Sequence, residues 1–363
     1  LVPDATKLIV EDMKAHGMRR LVCASNLGVP GSGAFLLRWI LVPLFARKLI
    51  PILAAKVKME ANLRASALDW TSVRLPALTE KPARGKVRVS DKGRMIGYTI
   101  TTVVLDLVGA ASVPVHSGAH RPLLAEPRHA GYVHGVSGLD GAALPEPSRA
   151  PTGTDAVAFI VDTCRSTEGL WLVPTGPLTN IALALRAAPD IAGRIAGISL
   201  MGGGRFGNRS AAAEFNIWCD PHAAAIVFEY GGPLRMCGLH LTHQFQATPE
   251  RIAAVRAAGG TLGTLLADLL GFFSRSYVDL HEGMRGAAVH DPLAVMTLTH
   301  PELFTFRDAH VVVETEGRHT IGQTLIDDRT LISRPPANCR VYETVDADGG
   351  FGVIVEAVAA LAA

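Results

Sequence analysis

The residues best placed to do chemistry lie between Met201 and Pro221, MGGGRFGNRSAAAEFNIWCDP. That short span holds a glycine run, two asparagines, a carboxylate and a helix start. Ala213-Glu214-Phe215-Asn216 is its informative unit. In an extended backbone, side chains i and i+2 point the same way, so Glu214 and Asn216 would share one side and Phe215 the other. A carboxylate only accepts hydrogen bonds, whereas an amide both donates and accepts. Together they suit a ligand dense in hydroxyls, such as a sugar. Gly202, Gly204 and Gly207 also fit the spacing of a dinucleotide loop, with Glu229 at a ribose-binding separation. That reading requires a helix to open on the glycines. The next clear helix start is Asp220-Pro221, an N-cap followed by proline at the first helical position. The span therefore reads as a binding loop rather than a cofactor fingerprint.

Two histidine pairs carry metal-like spacing, His116 with His120 and His240 with His243. Neither has a companion glutamate motif, so the spacing reads as accidental. Five cysteines, at 23, 164, 219, 237 and 339, form no C-x-x-C. An odd, scattered set points to reduced thiols and a cytoplasmic location.

These side chains need a scaffold, and the chain is long enough to supply one. Its 363 residues allow about two domains. Hydrophobic residues make up 48%, enough for a sizeable core. A net charge of +2 argues against a nucleic-acid partner. Phe35 to Val57 is strongly apolar, but Arg38, Arg47, Lys48, Pro43 and Pro51 interrupt it. No run approaches the roughly 18 to 20 uncharged residues of a membrane span, so a broken helix pair is expected. The chain starts at Leu1 with no signal-peptide pattern, and reads as cut at its start.

In order, Leu8 to Gly17 reads as a helix end, Arg20 to Ser25 as a strand, Asn26 to Gly33 as a loop, Lys56 to Ser66 as a helix and Asp69 to Leu75 as a strand. Further on, Val113 to His116 reads as a strand, His129 to Gly141 as a polar glycine loop, and Ala156 to Cys164 as strand-to-helix. Leu170 to Pro174 is a strand, and Thr175 opens a helix to about Ala188. Ile195 to Met201 and Pro233 to Cys237 are strands, the second leading into a histidine-bearing loop. Thr261 to Tyr277 is a helix, and Asp291-Pro292 starts another that ends near Thr299. Alternating strands and helices predict an α/β fold with a mostly parallel sheet. Ligands of such sheets bind beyond the carboxyl ends of the strands, where these loops converge.

Two resemblances follow. RRLVCASNLGV, KVKMEANLRASALDWTSVRLPALTE and KGRMIGYTI, over about residues 1–100, resemble an atypical short-chain dehydrogenase of the NmrA-like NAD(P)H-binding kind. This implies a partial Rossmann-like α/β segment. Its glycine-rich phosphate loop is absent from the chain, and no Tyr-x-x-x-Lys follows Ser25. From about Val104 to Ala363 the chain resembles an inosine/uridine-preferring nucleoside hydrolase. The residues are VLDLVGAASVPVHSGAHRPLL, HGVSGLDG, LVPTGPLTNIALAL, SLMGGGRFGNRSAAAEFNIWCDPHAAA and AVHDPLAV, five motifs in order.

The second resemblance implies cleavage of the N-glycosidic bond of purine or pyrimidine ribonucleosides, with Ca²⁺ holding a water and the ribose diol. Carried over by motif, Asp291 and the Thr175 carbonyl are metal ligands. Asn208, Glu214 and Asn216 grip the ribose. His290 sits at the leaving base, where an imidazole can donate a proton. His134 lines the base pocket and Tyr277 closes over it. The resemblance also favours a homo-oligomer acting on a small-molecule nucleoside. Read alone, Asp291 and Asp220 could each be a helix cap; the HDP motif assigns Asp291 to the metal and leaves Asp220 mainly a cap.

The family's opening Asp-x-Asp-Pro-Gly-x-Asp-Asp cluster is not in this chain. Asp4, Asp12, Asp69, Asp91 and Asp106 are isolated. The expected organisation is a Rossmann-like segment at 1–100 joined to a hydrolase-like domain at 101–363 that lacks the aspartate motif. Three readings follow: a nucleoside hydrolase with activity reduced or lost, an NAD(P)H-binding oxidoreductase relative, or an inactive fusion. Without a phosphate loop there is no helix N-terminus to hold a pyrophosphate. A fluorescence titration with NADPH should therefore show no saturable binding at micromolar cofactor; a saturable curve would overturn that expectation.

Overall fold

Gly197–Met201, GISLM, is buried at every position. A strand buried on both faces reads as a continuous apolar run, as the strands of a parallel sheet do. The sheet is built around it. The computed structural model describes residues 20–26, 69–75, 94–127, 148–280, 283–330 and 333–362. The chain divides into two compact units, Leu1–Arg88 and Val89–Ala363.

In the first unit, β1 (Arg20–Asn26) pairs in parallel with β2 (Asp69–Leu75), Arg20 opposite Asp69 and Asn26 opposite Leu75. The helices expected at Leu8 to Gly17, Phe35 to Val57 and Lys56 to Ser66 lie outside the described residues.

The second unit begins with α1 (Arg94–Leu107) and α2 (Ala156–Ser166). Then come β3 (Trp171–Leu172), α3 (Thr179–Ala187), β4 (Gly197–Met201), α4 (Phe215–Cys219), α5 (Pro221–Phe228) and β5 (Leu234–Cys237). After these follow α6 (Leu239–Thr242), β6 (Gln246–Ala247), α7 (Pro249–Ala257), α8 (Gly260–Leu280), β7 (Ala287–Ala288) and α9 (Pro292–Thr299). The chain ends with β8 (Phe304–Ala309), β9 (Val311–Val313), β10 (Thr324–Ile326), β11 (Cys339–Val345) and α10 (Ala347–Ala362).

Five strands form the main sheet in the order β3-β4-β5-β11-β8. β3, β4, β5 and β11 run parallel, and β8 is an antiparallel edge. This is the expected α/β architecture with a mostly parallel sheet. Along β4, Ile198 and Leu200 enter a core with Leu178, Ile181, Val227 and Met236. Met201 enters a second core with Leu239, Phe245, Leu293 and Tyr342. Burying each such aliphatic side chain contributes about 1.5–3 kcal/mol. Ser199 is buried too; its hydroxyl donates to the Ala294 carbonyl at 2.7 Å, tying α9 to the sheet.

Three expected elements differ. Val113 to His116 forms only an isolated bridge, His116 to Gly153, not a strand. Ala156 to Cys164 is helical throughout: Asp155 caps it by accepting from the Ala158 amide, so no strand precedes the helix. The helix after Thr175 starts four residues later, at Thr179.

Asp220 behaves as the expected cap and does more. One carboxylate oxygen accepts from the Ala223 amide at 3.1 Å. The other accepts from the Thr179 hydroxyl at 2.7 Å and the Leu123 amide at 2.9 Å. The residue is fully buried. Asp220→Ala removes a cap and leaves two further donors unpaired, and should cost about 3 kcal/mol. Urea denaturation is the check; a loss below about 1 kcal/mol would mean that these bonds add little.

Candidate active site

The loop after β4 turns sharply because its glycines permit it. Gly203 (φ 70°) and Gly204 (φ 139°) occupy backbone space that favours glycine. A Cβ on Gly203 would lie 2.6 Å from the Thr324 methyl, and one on Gly204 would lie 2.8 Å from the Leu239 amide. The loop is pinned from both sides. Thr324 Oγ1 accepts from the Gly204 amide at 2.8 Å and donates to its carbonyl at 2.9 Å. The Leu239 amide donates to the Gly203 carbonyl at 2.9 Å. No helix opens on the glycines; the next one is α4.

Glu214 and Asn216 are not the extended pair that alternation suggested. Glu214 is the extended N-cap of α4, and Asn216 already lies in the first helical turn. Glu214 Oε1 accepts from the Asn216 amide at 2.9 Å. Oε2 accepts from Gly203 at 3.0 Å and Ile217 at 3.2 Å. The two residues nevertheless converge on the sheet end, because the cap folds the helix start back over the loop. Asn216 Nδ2 donates to the Met201 carbonyl at 3.1 Å and reaches the Thr175 carbonyl at 3.4 Å. Both residues are buried, whereas Asn208 and Thr175 are exposed. Asn208 Oδ1 accepts from the Phe215 amide at 3.0 Å, which closes the loop.

Burial pushes Glu214 up to about 7, against three backbone amides that hold it down; the Asp291 charge raises it further. Asp291 lies at the same sheet end: Leu293, two residues on, shares a core with Met201 at the end of β4. Asp291 has one open side, but the protein crowding its carboxyl raises it to about 6. Asp291 occupies the N-cap position of α9 without making a side-chain cap bond.

Beside Asp291, His290 Nδ1 lies 2.7 Å from the Thr242 hydroxyl at the end of α6. Its Nε2 lies 3.5 Å from the Tyr277 hydroxyl, which is 3.1 Å from His243 Nε2. The three rings form a triangle with centroids 5.9 to 6.1 Å apart. Phe206, from the glycine loop, meets His243 edge-on at 5.3 Å. Tyr277 is buried, with its hydroxyl pushed up to about 12, so it stays protonated.

Sequence reading placed Tyr277 and His290 but considered His243 only as a metal-like pair with His240. The available signal was position: His243 follows β5 at a strand's carboxyl end. His134 lies outside the described residues. Among the described residues no group of three or more His, Cys, Asp or Glu could hold a metal ion. No described helix is long and apolar enough to cross a membrane.

Comparison with known proteins gives two family matches. A family model of inosine-uridine preferring nucleoside hydrolases matches residues 96–351, and one described as NAD(P)H-binding matches residues 2–104. The pyrimidine-specific ribonucleoside hydrolase RihA of Shewanella woodyi is 43% identical over 257 residues, 70% of this chain and 82% of that one. Its namesake from an Escherichia coli strain is 44% identical over 248 residues, 68% of this chain and 79% of that one. Among solved structures, a purine-preferring ribonucleoside hydrolase from Gardnerella vaginalis superposes with a TM-score of 0.69 at 32% identity, covering 74% of this chain and 86% of that chain.

The raised carboxyl of Asp291 has a sign. Between its ordinary value of 3.8 and about 6, the folded state binds more protons than the unfolded state. Stability from this group therefore falls as pH rises through that window and stays lost above it. In chelator-treated buffer, Asp291→Asn should match the parent below pH about 4 and melt higher above pH about 6. Thermal melts across this range are the check; an asparagine variant that melts lower at pH 8 would contradict it.

Proposed function

The chain belongs to the inosine-uridine preferring nucleoside hydrolase family, hydrolases acting on N-glycosyl compounds, and on that premise we propose that its site takes pyrimidine ribonucleosides. The two relatives named above at 43 and 44% identity are pyrimidine-specific, which favours this base class over purines. One observation carries the site assignment: Phe206, from the loop after β4, meets the His243 ring, which packs with His290 and Tyr277. It joins the ribose side, Asn208, Glu214 and Asn216, to the leaving-base side, His290 with Tyr277 and His243.

Asn216 offers its amide and Glu214 a buried acceptor to the ribose hydroxyls, with Asn208 at the open edge. N-glycosidic cleavage passes through an oxocarbenium-like state, and the departing base needs a proton. When the Thr242 hydroxyl donates to His290 Nδ1, the proton of the neutral imidazole sits on Nε2, facing the side of Tyr277. From there it can pass to the base nitrogen as the glycosidic bond breaks. Tyr277 and His243 fix the ring and share the proton network. His134 is proposed at the base on family likeness alone.

Calcium is the family's expected ion, and it takes six to eight oxygens. Asp291 and the Thr175 carbonyl supply two, and the described residues hold no acidic cluster to add to them. These donors alone do not fit calcium. Glu214 is occupied by three amides and is not free to take the water's proton either. The proposed behaviour is ribonucleoside binding with slow turnover. Four buried, free cysteines support a reducing, cytoplasmic setting, and we place the enzyme there, as a homo-oligomer by family likeness. The alternative NAD(P)H-binding role concerns residues 2–104 alone.

Free-base release from uridine, cytidine and inosine is the test. Uridine and cytidine should be cleaved in preference, at rates well below the median enzyme's roughly 10 s⁻¹. His290→Ala should lower kcat by about 10²-fold or more, with little change in KM. Fast cleavage with inosine preferred would sink the base assignment and the rate argument together.

A further inference from the structure

Away from this site, α7 and the second half of α8 face each other across a cavity of about 860 Å³. Its volume falls within the range of small-molecule pockets. Each helix contributes one stripe. Pro249, Ile252, Ala253, Arg256 and Ala257 come from α7, and Gly271, Ser274, Arg275 and Val278 from α8. The gap follows from the sequence: Ala247, Ala253, Ala257 and Gly271 are too small to fill it. Two ion pairs help to frame it, Arg256 with Asp268 at 2.6 Å and Arg285 with Glu250 at 3.2 Å. They bridge its rim without closing the space. Val278 remains 40% exposed at the mouth.

Among the described residues the lining is apolar except for Ser274 and three arginines, and it contains no carboxylate. Ser274 is occupied: its hydroxyl donates to the Ala247 carbonyl and accepts from the Ala287 amide, tying α8 to β6 and β7. Arg256 and Arg285 are neutralised by their partners. Arg275 makes no ion pair among the described residues and has only a distant ring contact, 6.0 Å from Phe272. An apolar cleft with one uncompensated guanidinium at its wall selects an apolar anion, since a guanidinium fork matches a carboxylate.

We propose that the cleft between α7 and α8 binds an apolar molecule bearing one carboxylate, such as a fatty acid, with the chain along the alanine and glycine wall and the carboxylate on Arg275. Glu214, His243, Tyr277, His290 and Asp291 are not among its lining residues, so this cavity is distinct from the nucleoside site.

Gly271 makes the idea directly testable. A Cβ there would meet only an Arg275 nitrogen, at 3.9 Å, so a larger side chain enters free space. Gly271→Leu should keep or raise the melting temperature, because leucine favours helix over glycine. Calorimetric titration of the full chain with dodecanoate below its micelle concentration should show saturable binding. Gly271→Leu and the exposed Arg275→Gln should each weaken it about tenfold or more, and dodecyltrimethylammonium should not compete. Absence of binding to the parent, equal binding by Gly271→Leu, or equal affinity for the cationic detergent would each overturn the proposal. So would an oligomer that Gly271→Leu dissociates, which would assign the cleft to a second copy.

Discussion

Everything at the sheet end depends on one buried carboxylate. Glu214 is 3% exposed, and an ionised carboxylate without compensation costs several kcal/mol in such surroundings. Three backbone amides supply the compensation, and they come from two places: Gly203, just past β4, and the first turn of α4. The carboxylate therefore clamps the two ends of the intervening loop together. Without the clamp, α4 has no cap and Asn216 has no reason to reach the Met201 and Thr175 carbonyls. Burial still exceeds the amides' effect, which is why the group stays high.

The rest of the loop is held by a separate device, so the clamp does not act alone. Arg205 pairs with Asp328 and with Glu343, and Arg307 pairs with the same two acids. This closed ring of four charges joins the loop to β8 and β11. Isolated surface pairs contribute little, but a network in which each charge serves two partners is better ordered. With Thr324 bracketing Gly204, the exposed residues beyond Arg205 are Phe206, Asn208, Arg209 and Ala211. Phe206 turns to His243 and Asn208 closes on Phe215, so the loop's open edge is also ordered.

Part of the architecture was legible because β3, β4 and β5 are short, largely apolar runs flanked by glycine or proline, whereas β8 and β11 carry charges along their length and were not read as strands. Gly197–Met201 and Leu234–Cys237 could be read for that reason. Val113 to His116 could not: a run of small apolar residues has the same pattern whether or not it finds a strand partner. Glu214 and Asn216 were singled out by residue type but on the wrong backbone, since alternation and the first turn of a capped helix can both bring i and i+2 to one region. The His243, Tyr277 and His290 triangle was half legible. Its members stand on α8, after α6 and before α9, and nothing in a linear spacing reports that three elements meet. The cleft between α7 and α8 was not legible at all, because small residues on a helix read as good packing until the opposing face is also small.

Asp220 and Asp291 offer a controlled comparison, since both precede a proline that opens a helix. Asp220 has the non-helical backbone of a cap (φ −146°, ψ 77°), and its carboxylate is fully committed to three donors. Asp291 has helical backbone angles (φ −69°, ψ −38°) and makes no cap bond. A helix N-terminus favours a negative charge, so the position alone should hold Asp291 low. It is high instead, because the protein crowds its carboxyl on the side that is not open. The chain thus gives up a cap, worth about 0.5–2 kcal/mol, at this residue. Local rules that fail together without a packing gain mark functional positions. The side chain released from capping is the one coupled to Glu214 and adjacent to His290. The departure at Asp291, set against the obedience at Asp220, supports the proposed place of Asp291 in the site and leaves Asp220 to the fold.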